Sequence, residues 1–366
     1  MYDENALRKA AENLDGAEEK LAASRVLIGF DGYVDRVYRL AGKNGAVDSV
    51  SGFAALLGTE SGDFRVVRVR EKMGGNGPLL AESLAAKDVP LTCAGMMGEP
   101  GLLSTFAPLA EHCEALTAGR PADCFALEFP DGKMMLGDTD PLEELTFDRL
   151  CERVGSERLF QRLDGSDLFC FTNWSGLPHA NELLERILRE FCSRLGGKPR
   201  CLFFDLADPS ALEQERFSRF FELLEAFQER FTVVVGLNPK ELREVCLRFF
   251  DCLPKEPEEK RLEMLLARFP ADELVLHGLD YAAAGDRQHG VRRVPGRKME
   301  SPAIVTGGGD NFNAGYCLGK LLALAPEQCA LLGNVSSGLY VETGVPAGLS
   351  QMRAFCRGAS LRENRR

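Results

Sequence analysis

Short apolar runs that recur along the chain constrain its fold more than any other feature. They lie at Val26–Phe30, Leu91–Ala94, Leu168–Phe171, Cys201–Phe204, Thr232–Val235 and Glu273–Leu276. Each is of strand length, and several carry β-branched or aromatic residues. Amphipathic segments lie between most of them, at Leu79–Ala86, Ala180–Leu195, Ala211–Phe227 and Glu241–Phe250. A strand that is apolar at every position is buried on both faces. Such strands alternating with helices predict an α/β fold: a mainly parallel central sheet with helices on both faces, a three-layer sandwich.

Two stretches break the rhythm. Residues 36–50 and 121–138 look like strand pairs, and the second carries Asp131-Gly132 between two apolar segments, a hairpin signal. They predict a small β-sheet lid over the carboxyl ends of the main strands, where open α/β sheets bind ligands. Residues 1–24 read as an N-terminal helical extension through Leu7, Ala10, Ala11, Leu14 and Leu21, and residues 25–366 as one domain carrying the lid.

Charge and composition remove several classes. Lys and Arg number 44 against 55 Asp and Glu, a net charge of −11, which argues against a nucleic-acid partner. No run approaches the roughly 18 apolar residues of a membrane span. No signal peptide is readable in the acidic first twenty residues. The 12 cysteines form no C-x-x-C pair, and many sit inside apolar runs as small buried hydrophobes. A reducing cytoplasm is the expected location.

The chemistry concentrates at Thr306-Gly307-Gly308-Gly309-Asp310-Asn311-Phe312-Asn313-Ala314-Gly315. Three consecutive glycines before a helical pattern predict close backbone approach, with free N–H groups forming an anion hole. Beside it, Asp310 is placed to take a proton from an attacking hydroxyl. The same letters also read as a flexible turn with Asp310 as the helix N-cap.

This segment resembles the T-G-A-G-D-x-F-x-x-G signature of the ribokinase-like (PfkB-type) carbohydrate kinases. Gly74-Gly75-Asn76-Gly77-Pro78 resembles their G-G-x-x-x-N-x-A element, Asn238-Pro239-Lys240-Glu241 their N-x-x-E element, and Gly29–Asp35 their first strand. The four occur in the family's order across roughly residues 25–345. The resemblance implies Asp310 as catalytic base and the amides of Gly307, Gly308 and Gly309 as the phosphate cradle. It implies ATP and Mg²⁺ as cofactors, with Asn238 and Glu241 holding the metal through water. Nucleotide contacts fall to Asn238, Glu241, Thr306, Gly307, Gly309 and Asn334. Substrate contacts fall to Asp31, Asp35, Gly74, Gly75, Asn76 and Asn173, with Asp35 favoured over Asp31. Asn238-Pro239 also reads as a helix N-cap followed by proline, and the two readings are compatible. Gly308 stands where the signature has Ala, and Asp205-Leu206-Ala207-Asp208 where a D-x-N-x-R element is frequent.

The expected activity is ATP-dependent phosphorylation of a sugar hydroxyl, with a small-molecule sugar and a nucleotide as partners. A nucleoside kinase of the same fold is an alternative, with Tyr33, Tyr38 or Phe125 to stack a base. A catalytically silent sugar- or nucleotide-sensing protein is another. An exposed lid sheet also invites a homodimer.

Overall fold

In the computed structural model, Val26–Phe30, the first of the apolar runs, lies inside the main sheet, third from one edge. The structure describes the chain apart from residues 1, 43, 44, 48, 58–64, 130, 131, 298, 300, 301, 305 and 359–366. The expected turn residue Asp131 and the last eight residues of the expected domain therefore lie outside the described residues.

In chain order the strands are β1 (Val26–Phe30), β2 (Tyr33–Gly42), β3 (Gly45–Ala46), β4 (Arg65–Gly74), β5 (Leu91–Gly95), β6 (Glu114–Thr117), β7 (Ala122–Phe129), β8 (Gly132–Asp138), β9 (Leu168–Phe171), β10 (Cys201–Asp205), β11 (Thr232–Leu237), β12 (Glu273–His277), β13 (Tyr281–Asp286) and β14 (Gly290–Pro295). Nine of these form one sheet in the order β14-β13-β12-β11-β10-β9-β1-β5-β6. From β12 to β6 every pairing is parallel, and β13 and β14 add an antiparallel edge. All six runs predicted from the sequence are in this sheet, and β1, β5 and β9 are buried at every position. Two apolar cores flank the sheet. One contains Phe169, Phe171, Phe204, Phe217 and Phe220; the other contains Ile28, Cys170, Phe203 and Tyr316. Helix Glu4–Leu14 joins the second core through Ala10, Ala11 and Leu14.

The small sheet differs in make-up from the expected one. Its long strands are β4, β2, β7 and β8, with the two-residue β3 beside β2. The long partner of β2 is thus β4, not a strand within residues 36–50, and a helix begins at Val50. The reason is chemical. Arg65-Val66-Val67-Arg68-Val69-Arg70-Glu71-Lys72 is too charged to be buried on both faces, and positions 65–71 are exposed. β2 pairs antiparallel with β4 and parallel with β7, so this sheet is mixed. Among the described residues, no helix is long and apolar enough to cross a membrane.

Candidate active site

Every strand that feeds the site does so from its carboxyl end. Asp31 follows β1, Asn173 follows β9, Asp205 ends β10, Asn238 follows β11 and His277 ends β12. The glycine turn faces this edge as the start of helix Gly308–Leu321. Gly307 is its N-cap, at a left-handed φ of 90°, and no side chain caps the amides that follow. Those N–H groups carry the positive end of the helix dipole. The turn is held from behind: Tyr340 Oη donates to the Thr306 carbonyl at 2.9 Å, and Ser337 Oγ to the Gly308 carbonyl at 2.8 Å. Asp310 sits in the first turn of the helix rather than at its cap, so the N-cap reading of this residue does not hold.

Asp310 is 8% exposed, and its Oδ1 accepts a 2.9 Å hydrogen bond from Asn76 Nδ2. Burial, then the nearby charge of Asp205, pushes its carboxyl well above the usual carboxylate range. Asp205 is itself pushed up to about 6, chiefly by burial, although it accepts from Asn313 Nδ2 at 2.6 Å and from the Ala207 N–H at 3.0 Å. Glu241 is raised by burial and by the charges of Asp205, Asp208 and Asp310. Two buried acids, Asp310 and Glu241, and the half-buried Asp205 thus gather where the strands end. A cluster this poorly solvated needs a cation or a proton to settle it.

Asn238 and Glu241 form a capping box at the start of helix Pro239–Phe250. Asn238 Oδ1 accepts from the Lys240 and Glu241 N–H groups, and Glu241 Oε2 accepts from the Asn238 N–H at 2.9 Å. The reading of Asn238 as N-cap with proline at the first helical position therefore holds. A cavity of ≈ 370 Å³ opens here, walled by Asn238, His277, Gly308, Gly309, Phe312 and Asn334 among others. His277 stacks 5.0 Å from the Phe312 ring, and burial holds its imidazole down to about 4. It is therefore a neutral wall of the cavity at neutral pH. Asn334 donates to the Val294 carbonyl at 3.2 Å. Among the described residues, no group of three or more His, Cys, Asp or Glu is set to hold a metal ion directly. The oxygen donors present beside Asn238 are the carboxylates of Glu241 and Asp205, a hard, sparse set of the kind that binds Mg²⁺ with several waters retained.

On the other side of Asp310 lie the residues expected to meet a substrate. Asp31, fully buried, accepts from the N–H groups of Asn76 and Gly77, both at 2.8 Å. It also accepts from Thr172 Oγ1 at 3.3 Å and Asn173 Nδ2 at 3.0 Å. Its oxygens are thus engaged in holding the first turn of helix Asn76–Ala85. Asn173, at φ 56°, is turned toward Asp31. Asp35 is 5% exposed and lies 3.9 Å from Lys72 Nζ. A Cβ at Gly74 would fall 2.4 Å from Asp35 Oδ1, so any other residue there would displace that carboxylate. Gly75, at φ 98°, follows the strand as the N-cap of the helix that begins at Asn76. Tyr38 and Phe125 stack on each other at 4.1 Å, both in the small sheet, while Trp174 is core, stacked on Phe220.

Sequence reasoning missed Asp205 and His277 as members of this site. Both stand at the carboxyl end of a buried parallel strand, and that position was the available signal. It also missed the contact between Asn76 and Asp310, which lie 234 residues apart.

The arrangement has counterparts. The family model of prokaryotic ketohexokinases matches residues 2–359. A ketohexokinase from Haloferax volcanii is 27% identical over 97% of both chains. Ribokinase from Thermotoga maritima superposes with a TM-score of 0.63 at 15% identity, covering 91% of this chain and 99% of that one. An E. coli protein assigned as ribokinase II, solved in complex with ATP and Mg²⁺, superposes with a TM-score of 0.63 at 13% identity, covering 92% and 99%. These structural likenesses cover more than nine-tenths of this chain. With nearly its whole length accounted for in this way, the chain belongs to the prokaryotic ketohexokinase family and is a carbohydrate kinase of the ribokinase-like fold.

Proposed function

We propose that this kinase transfers the terminal phosphoryl group of ATP to a hydroxyl of a ketohexose. One observation carries the reading. Asp310 belongs to the helix turn whose glycine amides wall the ≈ 370 Å³ cavity, and its carboxylate is also tied to Asn76 at the head of the opposite helix. The nucleotide lies in the cavity beside Asn238, Asn334 and the Thr306–Gly309 turn. The acceptor lies between Asp310 and Asp35, touching Gly74, Gly75 and Asn76, with Asp31 and Asn173 fixing that floor. Asp310 takes the proton of the attacking hydroxyl as its oxygen bonds to phosphorus, and the bond from phosphorus to the departing ADP oxygen breaks. The N–H groups of Gly307, Gly308 and Gly309 stabilise the charge on the moving phosphoryl group. Asn238 and Glu241, with Asp205 beside them, would hold Mg²⁺, which can be probed as the metal alone, and a bound ion there would neutralise phosphate charge. The small sheet closes over the acceptor and keeps water from the phosphoryl group.

ATP consumption measured with D-fructose, D-tagatose, D-ribose, D-glucose and adenosine tests this. The highest kcat/KM falls on a ketohexose. Faster turnover of adenosine moves the chain to the nucleoside kinases. ATP consumption with none of them identifies a silent binder.

The reading extends to assembly. Val66, Val67 and Val69 are exposed on β4, an edge strand, and Met135 and Leu136 on β8. Such residues are covered by a second copy of the same sheet. Light scattering therefore gives the mass of a dimer, and Val67→Lys with Leu136→Lys gives the mass of one chain. A wild-type monomer at micromolar concentration rules this out.

A further inference from the structure

Lys87 is completely buried, and among the described residues it has no carboxylate within ion-pair distance. Its ammonium donates to the Ser83 carbonyl at 2.8 Å and to Ser83 Oγ at 3.0 Å. Ser83 Oγ, also fully buried, donates to Asn311 Oδ1 at 2.7 Å. Asn311 Nδ2 donates to the Gly307 carbonyl at 3.0 Å, which also accepts from the Asn311 N–H at 3.0 Å. The chain of bonds thus runs from a buried lysine to the residue that turns the backbone into the phosphate cradle.

Its direction is set at the lysine end. In its charged form the lysine only donates, so Ser83 Oγ then accepts from it and turns its own single proton to Asn311. The Asn311 amide is then obliged to present its oxygen to Ser83 and its NH₂ to Gly307. With an apolar residue at 87, Ser83 could rotate its proton elsewhere and Asn311 could flip. Gly307, at a left-handed φ, would lose one of the two bonds that fix its carbonyl.

The lysine stands there at a cost to stability. Burial without a counter-charge brings its ammonium down to about 7, and a lone buried charge destabilises a fold. An apolar side chain of similar length would pack better, so packing does not explain a lysine here.

We propose that Lys87 is a positioning residue for phosphoryl transfer, acting through Ser83 and Asn311 to orient the Gly307–Gly309 turn. The proposal rests on that turn being the phosphate cradle.

The test compares Lys87→Met, Ser83→Ala and Ser83→Thr with the wild type, with Asp310→Asn as control. Lys87→Met keeps or raises the melting temperature, yet lowers kcat about tenfold with the KM for D-fructose within twofold. That loss is smaller than the 10²–10³-fold cost of deleting an anion-hole donor outright. Ser83→Ala gives the same loss, and Ser83→Thr, which keeps the hydroxyl, restores turnover. Deuterium exchange, read without acceptor, is faster in the peptide spanning Gly307–Asn313 in both loss variants. Unchanged kcat and unchanged exchange in Lys87→Met overturn the proposal. So does a kcat loss that tracks a falling melting temperature and is not restored by Ser83→Thr. Should Lys87→Met fail to fold, the Ser83 pair decides alone. If Asp310→Asn abolishes turnover while these variants keep it, the relay alone is wrong. If Asp310→Asn keeps turnover, the cradle reading fails first.

Discussion

Asp310→Asn lowers kcat by about 10²–10⁴-fold, the usual cost of a lost general base, and leaves ATP affinity, measured by calorimetric titration, within a few fold. The Asn side chain keeps an oxygen for the Asn76 amide, so the floor of the site survives while proton transfer does not. The same substitution stabilises the fold. Burial and Asp205 raise the Asp310 carboxyl above its unfolded value, so the folded chain holds that proton more tightly than the unfolded one. Stability from such a group is present below the unfolded pKa and is lost as pH rises through the folded one. At pH 8, above the unfolded value, the wild type therefore carries the cost of this buried acid and the Asn variant does not. Melting temperatures at pH 8 and pH 5 differ between the two proteins by more at the higher pH. Asp205→Asn acts on the same balance. It removes the charge that follows burial in raising both Asp310 and Glu241. The acidic limb of kcat/KM then moves to lower pH, whatever its height. A limb that stays in place after Asp205→Asn, or an Asp310→Asn enzyme within tenfold of wild type, contradicts the assignment of the base.

The sequence made the scaffold readable because the main sheet obeys a rule with few exceptions. A strand covered on both faces must be apolar throughout, and six segments announced themselves that way. β4 escaped because its alternating valines and arginines fit an edge strand exposed on both sides, a pattern shared with many surface segments. The residues proposed to handle phosphate were legible for a local reason. A glycine turn before a helix and a capping box with proline are spelled within a few consecutive letters. The residues of the proposed acceptor floor were named through the family resemblance, and their mutual contacts were not legible. Asp31 reads as a turn residue beside Gly32, yet its carboxylate gathers donors from Asn76, Gly77, Thr172 and Asn173, which the topology alone brings together. The same holds for Ser83 and Asn311, which are 228 residues apart. Positions whose role depends on a crossover between strands leave no trace in local spacing.

Adjacent glycines in the cradle give opposite results. Gly307→Val lowers kcat by about 10²–10³-fold, the cost of a lost anion-hole donor, and lowers the melting temperature as well. At φ 90° a β-branched residue is strained, and its Cβ would also fall 2.8 Å from Tyr340 Oη, whose bond to the Thr306 carbonyl holds the turn. Strain and clash act on the same peptide, so relief of either alone restores little. Gly308→Ala keeps kcat within about threefold. Gly308 already lies in the helix, and a Cβ there would meet Val341 at 3.5 Å and Ser337 at 3.6 Å, ordinary contacts. Alanine also orders a helix start better than glycine by roughly 0.5–1 kcal/mol, so the variant melts no lower than wild type. Alanine is also the residue the family signature carries at this position, so Gly308 is a departure the cradle tolerates rather than requires. Steady-state kinetics and thermal melts on the two variants separate the requirement for a left-handed hinge from a mere preference for small residues. Equal losses in both would mean that the turn is selected for size, and that the direction of its amides does not drive the transfer.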